Sequence, residues 1–234
     1  MQSTPDNTPL PLDRDELYTR FEDIENEVPH YREHFRNKVV ICNCNDPFES
    51  SFFQYFAINF NKLKLKKLIA VSTPSSPLKG TELPLFTSGT PLNDQASAIM
   101  LSEMQDMDQD GVIDIEDVKK FIITRCDTRL PLFHNGDFRC YECLDLLREA
   151  DIAVTHPPQS LFREYVELMF NLRKKFLLLG SVSAILYRDI FSRMQSGALH
   201  LGSRGRHESM DFRTHKNIHK LIKVKDMCWY TNLV

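Results

Sequence analysis

No stretch of these 234 residues holds the roughly 18 or more consecutive apolar positions that a membrane-spanning helix needs. The opening residues, MQSTPDNTPLPLDRDE, also lack the basic-then-apolar layout of a secretory signal. Together these absences predict a cytoplasmic protein with no membrane partner, whose six cysteines are reduced thiols. Regular cysteine spacing is missing as well: Cys42-x-Cys44 lies in an apolar run and does not match Cys140-x-x-Cys143, so buried thiols are expected rather than a four-thiolate zinc site. Net charge is small, −3, too near neutral to announce a nucleic-acid partner by itself.

What charge there is, is unevenly placed. Residues 13–27, DRDELYTRFEDIENE, are acidic, whereas 203–225, SRGRHESMDFRTHKNIHKLIKVK, carry Arg, Lys and His against few carboxylates. Such a basic tract can neutralise phosphates or form a solvated surface, and Arg204, Arg206, Arg213, Lys216 and Lys220 are its candidate DNA contacts.

The length suits one α/β domain spanning 13–234, after a Pro-rich N-terminus, residues 1–12, predicted to be disordered. Leu17, Phe21, Ile24 and Val28 recur at helical spacing and predict a helix from Asp13 to about Pro29. KVVICNC and KKLIAVS read as strands, with SFFQYFAINFNKLKLK a helix between them that buries Phe52, Phe53, Phe56, Phe60 and Leu63. Residues 73–94 read as an irregular connection, and QASAIMLSEMQ as at best a short helix. Further on, IEDVKKFIITR, CYECLDLLREA, SLFREYVELMFNLRK and LYRDIFSRMQSG are predicted helices, whereas DIAVT, KFLLLGSVS, ALHLG and LIKVKDMCWYTN are predicted strands. Strands alternating with helices call for a Rossmann-like α/β fold with a mostly parallel sheet covered on both faces. Ligands of such sheets sit beyond the carboxyl ends of the strands. The turns NDPFES, NGDF and THPPQS all fall at such ends and are expected to share one crevice.

In THPPQS, two prolines lock φ and offer no N–H, which fixes the direction of neighbouring groups presented to a ligand. HYREHFRNKVVICNCNDPFESSFFQYFAINF, GDFRCYECLDLLREADIAVTHPPQSLFREYV, KKFLLLGSVSAILYRDIF and CWYTNL together resemble the adenine-specific DNA methyltransferases of the EcoRI modification type, from about Asp15 to the end. The resemblance implies a restriction-modification enzyme that transfers a methyl group from S-adenosylmethionine to the exocyclic amine of adenine in double-stranded DNA, the base being flipped out. It assigns Asp46, Pro47 and Phe48 to the cofactor-binding turn, Asp137 and Phe138 to the neighbourhood of the cofactor's adenine, and His156, Pro157, Pro158 and Gln159 to the catalytic loop.

Two positions depart from that pattern. The family's loop begins with Asn or Asp, which accepts a hydrogen bond from the target amine; here it begins with His156. Its fourth residue is a ring that stacks on the flipped base; here it is Gln159, although stacking contributes about 1 to 3 kcal/mol per base. Strand two also ends without an Asp or Glu for the cofactor's ribose, leaving Ser72 or Thr73. Transfer is therefore expected to be weakened, and a non-catalytic relic that binds cofactor or DNA is the alternative. A third reading comes from DMDQDGVIDIED, where Asp106, Asp108, Asp110, Gly111, Ile113 and Asp117 match the spacing of a calcium loop, with Asp in place of Glu at the twelfth position. A solvated acidic turn is the expectation there. The DNA sequence recognised and the oligomeric state are not legible in the residues.

Overall fold

A computed structural model describes residues 17–72, 76, 96–125, 128–214 and 217–234, the side chains of 206–208, 214 and 217–220 excepted. The stretch 1–12, nearly all of 73–94, and Lys216 lie outside the described residues.

Four apolar runs form the centre. β2 (Val39–Cys42) and β6 (Ile152–Thr155) are buried at every residue, β3 (Lys67–Val71) at all but Lys67, and β7 (Lys175–Ser181) at all but its two ends. Such continuous burial requires cover on both faces, which suits parallel strands. The four lie parallel in the order β7-β6-β2-β3. Antiparallel strands flank them: β4 (Ser97–Leu101) and β5 (Arg129–Pro131) beyond β3, and β9 (Asn217–Thr231), β8 (His200–Thr214) and β1 (Leu17–Thr19) beyond β7. The expected Rossmann-like fold is thus a nine-stranded mixed sheet, parallel in its core.

Helices cover both faces. On one side α1 (Phe21–Glu27), α3 (Ser51–Ile58), α4 (Phe60–Leu63) and α5 (Ile115–Thr124) bury Ile24, Phe52, Phe53, Phe56, Phe60, Leu63 and Phe121. The fully buried Phe35 of the short α2 (Arg32–Phe35) joins them. On the other side α6 (Tyr141–Glu149), α7 (Phe162–Asn171) and α8 (Arg188–Gln195) bury Cys143, Leu147, Tyr165, Met169 and Ile190.

Three expectations need correction. The helix predicted from Asp13 starts only at Phe21, because Leu17 and Tyr18 pair with Thr214 and Arg213 of β8, and this pairing overrides the local helical spacing. Residues 97–101 are strand rather than helix, because they complete the edge of β3, with Ala98, Ile99 and Leu101 buried. The late strands are also longer than their apolar segments suggest: much of the basic tract lies in a hairpin with 15 residues in each strand.

That hairpin sets the shape of the site. β9 pairs with β7 only from Met227 to Thr231, so its earlier residues continue past the carboxyl end of β7. A register shift in β8 between Leu201 and Arg206 accompanies the extension, as a bulge does when it bends a strand. Glu27, fully buried, holds the bulge: its carboxylate accepts from the Tyr31 hydroxyl at 2.9 Å and from the backbone N–H groups of Ser203 at 2.6 Å and Arg204 at 3.3 Å. A Cβ on Gly202 would strike both Glu27 and Trp229, so this close approach requires glycine.

Candidate active site

The chain leaves β2 for β3 on one side, then returns to place β6 on the other side of β2. This is a topological switch point, where the two connections diverge and open a crevice at the carboxyl ends. Residues 43–48 follow β2 and residues 156–159 follow β6, so two of the three predicted turns border it. The third joins them by close contact. Gly136 has φ +80°, and a Cβ on it would stand 2.7 Å from the Ser72 carbonyl oxygen at the end of β3. Glycine at that one position lets the 136–138 loop lie against the strand end.

Within the β2 turn, the Asp46 carboxylate accepts from the Phe48 N–H at 3.0 Å, and its carbonyl accepts from the Ser50 N–H at 2.7 Å. Pro47 is buried beside it. Ser50 then caps α3, its hydroxyl accepting from the Phe53 N–H at 3.4 Å. Asp46 is therefore the turn's internal staple, and Phe48 is left half-buried on the rim. Phe48 also borders an open pocket of about 410 Å³ shared with Asp108, Glu116, Lys119, Lys120, Ile123 and Thr124.

On the opposite side Phe138 is buried, its ring 5.0 Å from that of Tyr165. The Tyr165 hydroxyl donates to Asn43 Oδ1 at 2.6 Å, and burial pushes its pKa well above the usual phenol range. Sequence reasoning missed Asn43 and Tyr165. The amide Nδ2 of Asn43 is buried and has no hydrogen-bond partner among the described residues. A polar residue ending a buried apolar strand was the signal available. Burial acts to raise the Asp137 carboxyl, but Arg139 outweighs it with bonds of 2.5 and 2.9 Å and holds it below the usual carboxylate range.

The Pro-Pro loop is more enclosed than expected. Pro157 and Pro158 are buried, and His156 is 4 % exposed. The His156 Nδ1 lies 3.4 Å from Thr19 Oγ1, the ring hydrogen-bonds to the Leu17 backbone, and its centroid is 5.4 Å from that of Phe212. Burial lowers its pKa to about 4, so the ring is neutral at pH 7. The first residue of the loop thus directs its hydrogen bonding to β1. Gln159 is exposed, with Nε2 3.8 Å from Met227 Sδ.

The remaining candidates are separated. Ser72 is turned to β4: its hydroxyl accepts from the Ser97 N–H at 2.9 Å and lies 3.0 Å from the Ser97 hydroxyl. Thr73 lies outside the described residues, as do Lys216 and the side chains of Arg206 and Lys220. Arg204 is exposed, and Arg213 donates to Ser51 Oγ at 2.8 Å, at the start of α3. The acidic loop brings oxygens of Asp106, Asp108 and Asp117 within 4.8 Å of one another, without Asp110. Its carboxylates already accept loop N–H groups: Asp106 from Gln109 and Gly111 at 2.6 and 2.7 Å, Asp117 from Met107 and Asp114 at 2.7 and 2.9 Å. A strand, β4, precedes this loop where a calcium hand has a helix. No helix among the described residues is long and apolar enough to cross a membrane.

Sheet order defines a Rossmann-like α/β protein with a candidate ligand crevice at the β2/β6 switch point. The model of the adenine-specific methyltransferase EcoRI family matches residues 12–234, and the chain belongs to that family. It is 37% identical over 233 residues to the type II methyltransferase M.EcoRI of Escherichia coli, covering 94% of this chain and 65% of that one. It is 33% identical over 234 residues to M.MpnI of Mycoplasma pneumoniae, and 32% over 233 to M.MgeORF184P of Mycoplasma genitalium, covering 93% of this chain and 61% of theirs in both cases. The chain thus spans less than two thirds of the length of these relatives. No solved structure matches it.

Proposed function

We propose that this chain binds S-adenosylmethionine in the β2/β6 crevice and transfers its methyl group, weakly, to the exocyclic amine of an adenine flipped out of double-stranded DNA. The meeting of the 46–48 turn, the 136–138 loop and the Pro-Pro loop at adjacent strand ends carries this reading. The buried Asn43 amide fits a ligand rich in acceptors, as the cofactor's carboxylate and ribose are. Asp46, Pro47 and Phe48 would hold the cofactor from one side, and Asp137 and Phe138 from the other. When bound, the cofactor supplies an electrophilic methyl on a cationic sulfur.

The chain's own residues must place and free the target amine. Pro157 and Pro158 fix the loop backbone against the crevice, and a neutral acceptor at the head of the loop would take a hydrogen bond from the amine as its lone pair turns to the methyl. His156 is neutral, which suits the cationic donor, but its ring faces Leu17 and Thr19. Gln159 offers no ring to hold the flipped base. Duplex DNA would lie along the hairpin, where Arg204, Lys223 and Lys225 are exposed. The engagement of His156 by β1 favours a second reading, a relic that binds cofactor without turnover.

Transfer of tritiated methyl groups to adenine-containing duplex DNA decides between them. The double change His156→Asn with Gln159→Phe is expected to raise the rate about a hundredfold, equivalent to about 2.7 kcal/mol of barrier. Robust native turnover that is lost on this change would show the His-Pro-Pro-Gln loop to be a working variant. Cofactor binding by calorimetry, with no transfer in either protein, would establish the relic.

A further inference from the structure

Beyond β7 the chain holds three large apolar side chains out in water: Leu186 is 86 % exposed, Tyr187 47 % and Phe191 48 %. The segment is firmly built. Ser181 ends β7, accepts from the Ser183 N–H at 3.2 Å and starts a single tight helical turn, Val182–Leu186, anchored by the buried Ala184. The buried Tyr230 hydroxyl donates to the Ser181 carbonyl at 2.8 Å, and the Tyr187 N–H donates to the Ala184 carbonyl at 3.1 Å. Leu186 thus stands on a turn tied at both ends.

Its neighbours are the catalytic loop and the projecting hairpin. β7 lies directly beside β6, with Leu178 paired to Thr155, so both following loops leave the same end of the sheet from strands about 4.8 Å apart. Arg163, in the first turn of the helix after the catalytic loop, reaches Asp189 at 3.0 Å and sets its guanidinium 5.5 Å from the centre of the Tyr187 ring. On the other side Ser181 pairs with Met227 of β9, whose Sδ is 3.8 Å from Gln159 Nε2. From Met227 the hairpin runs outward to the exposed Lys225 and Lys223. The apolar tip therefore stands between the loop that would take the flipped adenine and the strands along which the duplex would lie.

We infer that Leu186 is the wedge that enters duplex DNA at the step vacated by the target adenine, an assignment that rests on the proposed DNA substrate. Extruding a base leaves a gap in the stack, and apolar side chains inserted between base steps hold such gaps open. Gln159 has no ring to retain the extruded base, so filling the place it left matters the more. Tyr187 broadens the wedge, and the exposed Arg188 adds a charge for a flanking phosphate. A protein bound permanently on this tip would close the approach to the catalytic loop, which favours the nucleic acid as its occupant.

The test measures, by fluorescence anisotropy, binding of the full chain with S-adenosylmethionine present to a labelled random-sequence duplex and to the same duplex lacking one adenine base. The missing base reproduces the vacated place, so the native protein is expected to bind the gapped duplex about tenfold more tightly, because less unstacking remains to be done. Leu186→Ala should bring the two affinities together, whereas Leu186→Met, which keeps an apolar chain, should retain the preference. Both variants change an exposed side chain, and native urea midpoints would show that they fold. Duplex binding without a preference for the gap, or a preference that survives in Leu186→Ala, would overturn the inference alone. Native protein that binds neither duplex would overturn the proposed DNA substrate as well. Self-association in sedimentation that Leu186→Ala abolishes would assign the tip to a second copy of the chain and overturn the wedge.

Discussion

The central strands and the β8–β9 hairpin are one sheet held together by different chemistry. β2, β3, β6 and β7 are seated between two apolar layers, with Ile41, Val154, Leu177 and Leu178 fully buried. Beyond β7 the hairpin joins the same apolar layer through Met210, Phe212, Met227 and Trp229 and adds single polar contacts: Glu27 to the bulge, Arg213 to Ser51, and the Thr19–His156 pair at β1. Apolar contacts are many and individually weak, whereas a buried polar contact is single and costly to break. The floor of the site rests on apolar packing, whereas the hairpin depends in addition on single polar contacts that one substitution can remove.

The largest expected effect is on the floor. Leu178→Ala is predicted to cost about 4 kcal/mol through transfer and cavity terms, and urea unfolding followed by far-ultraviolet dichroism and by Trp229 fluorescence should shift together. Non-coincident transitions would break the comparison by showing the hairpin to unfold separately.

Next comes the junction between the halves. The His156 pKa is about 4 in the fold against 6.5 unperturbed, because burial disfavours the charged ring. Above pH 6.5 both states are neutral and the stabilisation is complete. As pH falls toward 4 the unfolded chain takes up the proton first, so stability drops by about 3 kcal/mol over that window and then levels. Urea midpoints at pH 7 and pH 4.5 measure the loss, which should be much smaller in His156→Phe.

Glu27→Ala should cost about 2 kcal/mol, since it leaves the Tyr31 hydroxyl and the Arg204 N–H without their acceptor, while the Ser203 N–H keeps only the Tyr31 oxygen at 3.0 Å. Hydrogen exchange is expected to quicken in 202–214 and 217–226 while residues 152–155 stay protected. Equal quickening in both would show the hairpin to be as firmly built as the floor.

The smallest effect is on ligand binding. Asp137→Ala should weaken S-adenosylmethionine binding about tenfold, or about 1.4 kcal/mol, by calorimetry. Unchanged affinity would mean that Arg139, which already engages this carboxylate, satisfies it fully and that the ligand lies elsewhere in the crevice.

Legibility in the sequence followed the same division. Apolar strands alternating with helices made the parallel core readable, and Phe52, Phe53, Phe56, Phe60 and Leu63 are buried as their spacing implied. The three turns could be assigned to strand ends for the same reason. The hairpin was legible only in part: ALHLG and LIKVKDMCWYTN read as strands, but the rest of β8 does not, because it carries Arg and His where a strand buried on both faces carries Val and Ile. β1 was hidden by an apolar spacing that also suits a helix, and its partner lies at the far end of the chain. The residue types at His156 and Gln159 were plain from the sequence, but the orientation of the imidazole toward Thr19 depends on that long-range pairing. Asn43 escaped notice because an amide after an apolar run is usually a turn former, and only burial shows its unmatched N–H₂.

The pairing of Leu17 with Thr214 also orders events in time. Contacts between nearby residues can form while the chain is still short, but this one closes a loop of nearly the whole described sequence, and such closures are entropically late. β1, the first strand among the described residues, can therefore pair only once β8 is in place. Until the two meet, His156 has neither Leu17 nor Thr19 beside it, and the Pro-Pro loop stands open on an otherwise assembled floor. Its enclosure depends on a contact that spans nearly the whole described sequence.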